Sequence, residues 1–311
     1  MPRALAGLGA LVLLLAGCAG IPEEVRRLDP AAAAPELDDT PFYPQERYQC
    51  GPAALATVLD ASGIEVSPEQ LVDQVYVPER QGSFQVELLA ATRRAGRIPY
   101  RIDGTLTALA AELAAGRPVL VMQNLGVSWY PRWHYAVAVG VDSIDETVIL
   151  RSGTDRRRIT PWMTFLRTWQ RSDYWAFVAL EPGALPAMVE PDRYLRAVTD
   201  FEAAGGGDAA LAAWRAATRS WPGSALAWLG LANHLLAAGR NKDAEAAYRQ
   251  SIAADPALWA ARNNLAFALH RQGRDDEALA ELQEALATAS DDRARAEISD
   301  SLREIGDASQ H

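Results

Sequence analysis

The spacing of apolar positions changes along this chain, and each change predicts a different kind of element. From residue 52 to about 116 they recur every three or four residues, the period of helices that bury one face. "PAALATVLDAS" (52–62) puts Leu55, Val58 and Leu59 on one side, opens on Pro52 and stops at Gly63. "SPEQLVDQVY" announces a second helix, with Ser67 as N-cap, Pro68 at the first position and Gln70 three after the cap. A third runs from about 84 to 95 behind Ser83, and a fourth from Thr105 to Gly116, with the short strand "IPYRI" between them. Continuous β-branched and aromatic runs follow: "PVLVMQN" (118–124), "HYAVAVGV" (134–141), "TVILR" (147–151) and "YWAFVAL" (174–180). "DSIDE" (142–146) reads as the turn of an antiparallel hairpin, and "TPWMTFLRTWQ" (160–170) as an intervening helix. Helices followed by an antiparallel sheet define an α+β domain over 42–182.

A proline-bearing linker (183–190) ends that domain, and the pattern becomes all helical with a period of 34. Gly205, Gly239 and Gly273 keep that step, as do Ala210, Ala244 and Ala278, and Pro222 and Pro256. Trp228, Leu231, Ala232, Leu235, Gly239, Ala244, Tyr248 and Pro256 fit the tetratricopeptide pattern. Units fall at 191–224 (divergent), 225–258 and 259–292, with a helical cap and tail over 293–311. The expected architecture is an α+β domain followed by an all-α repeat array.

Composition narrows the partners. A net charge of −10 over 311 residues argues against nucleic acid, which needs a basic face. There is no metal-ligand spacing, phosphate loop or dinucleotide fingerprint, and no cofactor is expected. The N-terminus stands apart: Arg3, then an apolar run from Ala4 to Ala16, too short to span a bilayer and patterned like an export signal. Leu15, Ala16, Gly17 and Cys18 resemble the lipobox of bacterial lipoproteins. That resemblance implies a signal peptide over 1–17, lipid on Cys18, a membrane-anchored protein facing the periplasm, and, with Ala19 next, the outer membrane. Residues 18–41 then read as a tether.

Cys50 would in that case be the one thiol left, in an oxidising compartment without a disulfide partner. It precedes Gly51 and Pro52 at a helix start, where main-chain N–H groups and the helix dipole favour a thiolate. A thiol nucleophile needs a base and an oxyanion site. Of the four histidines, His234, His270 and His311 lie in the repeats or tail, and His134 shares the domain of Cys50. Trp129, Tyr130 and Trp133 precede it in a loop suited to a substrate groove, with Tyr135 read as core; Arg151, Arg156, Arg157 and Arg158 read as a solvated charge run.

"QERYQCGPAALATVL" followed by "HYAVAVGVD" resembles the bacteriocin-processing, double-glycine cysteine peptidases of papain-like fold. Closer still are exported bacterial lipoproteins that join such a domain to tetratricopeptide repeats. The resemblance implies Cys50 as nucleophile, His134 as general base and acid, and Gln45 as oxyanion donor, with Gln49 as a rival. The family's orienting Asp is missing; Ser152 matches its position, and Asp155 is the other candidate. The implied activity is peptide hydrolysis through an acyl-enzyme on a peptide or protein substrate, with a protein partner recruited by the repeats. Acyl transfer to another acceptor, or a catalytically weak peptide-binding module, are the alternatives.

Overall fold

The computed structural model describes residues 20–28, 35–44 and 49–308. Cys18 and Gln45 lie outside them. Helices α2 (Cys50–Ala61), α3 (Pro68–Val75) and α4 (Gln85–Arg94) precede α5 (Leu106–Ala114). Ser67 and Gln70 close the expected capping box, and Thr105 Oγ1 caps α5 by accepting from Ala108 N at 3.1 Å. Ser83 does not cap α4. It lies in a two-stranded ribbon of β1 (Tyr76–Val77) and β2 (Gly82–Ser83), and Phe84 takes the cap position without a side-chain bond. That ribbon was not legible in the sequence, because strands this short carry no period.

The main sheet has the order β3-β8-β4-β5-β6-β7, antiparallel throughout. Its strands are β3 (Ile98–Arg101), β4 (Val119–Asn124), β5 (Trp133–Asp142), β6 (Thr147–Ser152), β7 (Asp155–Pro161) and β8 (Ala176–Leu180). Arg151, 3% exposed, departs from the solvated charge run, whereas Arg156, Arg157 and Arg158 keep to it, exposed on strand β7. They form an edge strand after a turn at Gly153 (φ 62°), and α6 begins later than expected, at Trp162 (Trp162–Gln170). Cationic edge residues also discourage pairing with other chains.

Two apolar layers sandwich the sheet. On one face α2 to α4 pack on Leu120, Tyr135, Val137, Val139 and Phe177. On the other, α5 and α6 pack on Val119, Val121, Ala136, Ala138 and Leu150. A register shift between Ala138 and Gly140 moves β5 off strict alternation. A Cβ at Gly140 would stand 3.1 Å from Ile149 Cδ1 and 3.3 Å from the Glu36 Cα, so glycine lets the incoming chain lie this close without its neighbours shifting. There the Val139 carbonyl accepts Leu37 N–H at 2.8 Å. Buried Arg151 donates to the carbonyls of Leu37 and Asp38, and Glu36 pairs with Arg157 at 2.8 Å.

The stretch 18–41, expected to be a tether, is therefore folded wherever it is described. Helix α1 (Glu23–Arg26) buries Val25, Ile21 and Leu28 pack on the core, and Thr107 donates to the Arg27 carbonyl at 2.9 Å. Apolar residues at 21, 25 and 28 make one stripe, too short to register as a helix in a proline- and charge-rich segment.

The repeats begin with α7 (Pro191–Phe201), a π-helical turn (Glu202–Gly206) and α8 (Gly207–Ser220). The two pairs α9 (Ala225–Ala237) with α10 (Asn241–Ala254), and α11 (Trp259–His270) with α12 (Asp275–Thr288), follow, and α13 (Asp292–Ala308) caps them. The 34-residue markers explain their packing: Ala210, Ala244 and Ala278 are all fully buried where paired helices touch. The core on the α5 side continues without a break through Tyr100, Tyr194, Val198 and Phe201 into the repeats. Arg193 bonds Asp103 at 2.8 Å, and Glu190 N–H donates to the Tyr100 hydroxyl at 2.9 Å.

The linker is held down as well. Glu112, 1% exposed, takes Arg117 at 2.6 Å on one oxygen and Ala187 N–H at 2.7 Å on the other. Replacing it leaves two donors unpaired beside the core. Glu112→Ala is expected to cost about 2–3 kcal/mol in urea unfolding and to open the linker near 185–189 to limited proteolysis; unchanged stability and cleavage would count against this role.

Candidate active site

Cys50 is the first residue of α2, not the residue before it, so its main chain is already helical. Gly51 follows because the ribbon residue Ser83 lies directly on it: a Cβ at Gly51 would sit 2.2 Å from Ser83 Oγ. That hydroxyl is buried and has no hydrogen-bond partner among the described residues. Tyr135 donates its hydroxyl to the Ser83 carbonyl at 3.1 Å and so closes the wall from the β5 side.

The thiol is partly buried, and the main-chain N–H groups of Tyr135, Gly51 and Cys50 itself are turned toward it. Those dipoles lower the thiol pKa, but burial outweighs them and the net direction is upward. The helix-start argument for a depressed thiol pKa is corrected on this point: the dipole is present, and desolvation is larger.

His134 is the second residue of β5, facing Gln123 across the ladder. The pleat sends it to the opposite side from Tyr135, beside Gln123, whose amide donates to Thr168 on α6 at 2.6 Å. His134 Nε2 lies 2.8 Å from Ser152 Oγ. Ser152 ends β6 and is 3% exposed, while Asp155 starts β7, is exposed, and makes no hydrogen bond to His134. The hydroxyl is thus the group in contact with the imidazole. With Nε2 protonated it donates to Ser152, which turns the Nδ1 lone pair outward. Nδ1 has no hydrogen bond among the described residues. Sulfur and imidazole meet the same strand end, the sulfur at the Tyr135 N–H and the ring one residue earlier, without a hydrogen bond between them.

Burial, and then the Arg158 charge, push His134 down to about 4. A Ser in place of a carboxylate supplies no charge to oppose this. Both members of the pair are consequently neutral near pH 7. Gln49 occupies the N-cap position of α2 and makes no capping bond with its side chain. Among the described residues no group of three or more His, Cys, Asp and Glu could hold a metal ion. Sequence reasoning missed Ser83 and the Tyr135 N–H. The first sits in an unpatterned ribbon, and the second is a main-chain group that no residue type reveals.

Comparison with known proteins agrees with this layout. Residues 37–176 match the Peptidase C39-like family, and residues 195–258 and 229–294 match the tetratricopeptide repeat. The chain joins a Peptidase C39-like domain to a tetratricopeptide array. No curated protein matches it. Among solved structures it is similar to the first TPR of Spaghetti (RPAP3) bound to an HSP90 peptide, at 15% identity and TM-score 0.36, covering 39% of this chain and 94% of that one. It is also similar to the Yersinia enterocolitica type III secretion translocator chaperone SycD, at 17% identity and TM-score 0.37, covering 40% and 90%.

Two measurements test the electrostatics. The unfolded imidazole binds a proton near pH 6.5 and the folded one near 4. Stability from this group is therefore complete above pH 6.5 and is lost as pH falls toward 4, by up to about 3 kcal/mol. Urea melts at pH 7 and pH 4.5 should show a smaller loss for His134→Gln than for the wild type; equal losses would count against a buried neutral imidazole. Ser152→Asp should raise the His134 pKa by at least about one unit, read by NMR of the ring protons, and an unmoved value would remove Ser152 from the role of partner.

Proposed function

We propose that the chain is a lipid-anchored cysteine peptidase that hydrolyses a peptide bond through an acyl-enzyme on Cys50, with its repeats recruiting the substrate or a protein partner. The observation that carries this reading is the His134–Ser152 hydrogen bond at 2.8 Å, which leaves Nδ1 without a hydrogen bond among the described residues and available as a base. His134 takes the thiol proton as sulfur attacks the substrate carbonyl, then returns it to the leaving amine, and water hydrolyses the thioester with His134 again as base. The N–H groups turned toward the sulfur, with Gln45 as the family pattern implies, would stabilise the oxyanion. Because the pair rests neutral, proton transfer accompanies attack and does not precede it. A protein partner agrees with what tetratricopeptide arrays generally do. The lipid anchor rests on the apolar run before Cys18 and faces the chain to the periplasm; among the described residues no helix is long and apolar enough to cross a membrane.

One observation favours a second reading. A raised thiol, a depressed imidazole and no bond between them suit a peptide-binding module that has lost its chemistry. Incubation with a peptide library, followed by mass spectrometry of the protein and the cleaved peptides, separates the two. The peptidase reading expects an acyl adduct on Cys50, products that disappear in Cys50→Ala, and a loss of roughly a hundredfold or more in His134→Ala. Peptides retained uncut by wild type and Cys50→Ala alike would sink it in favour of the binding module.

A further inference from the structure

The loop 125–132, between β4 and β5, plays no part in the chemistry above, yet it is built with care. Val127 and Tyr130 exchange main-chain hydrogen bonds at 3.2 and 3.1 Å, so Ser128 and Trp129 form the tip of a small hairpin. At its base Asn124 Oδ1 accepts from Gly126 N and Arg132 N, both at 2.9 Å. Arg171 donates to the carbonyls of Asn124 and Gly126. A Cβ at Gly126 would stand 2.3 Å from the Tyr130 carbonyl oxygen, so the narrow path needs glycine. This stiff support holds apolar side chains out in water: Trp129 is 86% exposed, Tyr130 68% and Trp133 51%, with Leu125 and Val127 beside them. An apolar cluster of this kind marks an interaction surface.

The surroundings select the occupant. In a chain of net charge −10, residues 113–141 contain no Asp or Glu and Arg132 lies exposed beside the aromatics; Asp173 and Glu24, which act on Tyr174, are carboxylates at the same end. Helix α1 is at the same end of the sheet. Arg27 is tied to Thr107, just past the end of β3, and Glu24 lies within electrostatic reach of Tyr174, three residues from the Arg171 that clamps the hairpin. Ile21 is already packed on the core. Cys18 stands two residues before Gly20, so a lipid there reaches only about 7 Å from the folded body. The body would then rest against the surface that holds it, with this end nearest. Trp and Tyr are the side chains that settle at the boundary between headgroups and acyl chains.

We infer that the hairpin 125–132 is a second membrane contact, inserting Trp129 and Tyr130 into the interface of an anionic bilayer while Arg132 meets headgroup phosphates. The inference rests on the lipid anchor proposed above for its orientation. Two measurements keep the two ideas apart. Radiolabelled fatty acid incorporation into the wild type, lost in Cys18→Ser, tests the anchor. Quenching of tryptophan emission by brominated lipids, with full-length protein on phosphatidylethanolamine–phosphatidylglycerol vesicles, tests the hairpin. The expected result is quenching in the wild type that Trp129→Phe largely removes. Ile144→Trp, at the exposed turn on the opposite end of β5, should add emission that the brominated lipid leaves untouched. If acylation fails but this pattern holds, the hairpin stands and the anchor falls. If the protein is acylated and vesicle-bound but Trp129→Phe is quenched like the wild type, the hairpin is overturned. A Trp129 emission that ignores vesicles and shifts on adding an apolar peptide would overturn it in favour of a substrate groove.

Discussion

The register of β5 between β4 and β6 is the constraint on which everything else depends. This strand is buried on both faces and feeds both cores, with Tyr135, Val137 and Val139 on one side and Ala136 and Ala138 on the other. A slip of one residue would exchange the two sets. It would put valines and a tyrosine where alanines leave room for α5, and would turn His134 away from Ser152. The apolar sandwich thus aims the imidazole. The irregularity at Ala138 and Gly140 belongs to the same design, because it marks the place where residues 36 and 37 lie down on the sheet.

The site differs from an ion-paired thiol and imidazole in the direction both groups are pushed. Burial raises the thiol and lowers the imidazole, and each shift favours the uncharged form. A hydroxyl can fix the tautomer of a histidine as well as a carboxylate can, but it contributes a dipole in place of a full charge. Orientation is kept here and electrostatic support is reduced. Such a site stays uncharged until a substrate carbonyl arrives, and a protonated, poorly nucleophilic thiol is also less open to oxidation.

Much of this was legible in the residues. The capping box at Ser67 and Gln70, the cap at Thr105, the turn at 142–146 and the 34-residue markers each carry a local physical signal, and each element formed where that signal lies. The Cys-Gly-Pro step and the histidine at a strand start likewise placed the candidate pair within one domain. What stayed hidden had no local signal. The insertion of β8 between β3 and β4 is a long-range choice. The folding of residues 20–28 and 35–40 onto the body depends on Gly140, Arg151 and α5, far along the chain. The raised thiol reflects the whole burial of α2, whereas the helix-start argument saw the dipole alone.

The repeats share one continuous core with the sheet, pinned at Tyr100, Arg193 and Glu112. A flexible joint would let a captured chain sample many positions before the thiol. Under the proposed function, a fused one would fix the distance between the place of capture and the place of attack. Any polypeptide gripped by the array would then be gauged along its length, and the segment offered to Cys50 would be set by counting residues from the grip as much as by the side chains flanking the bond. The molecule would work as a ruler, its choice of bond written in spacing.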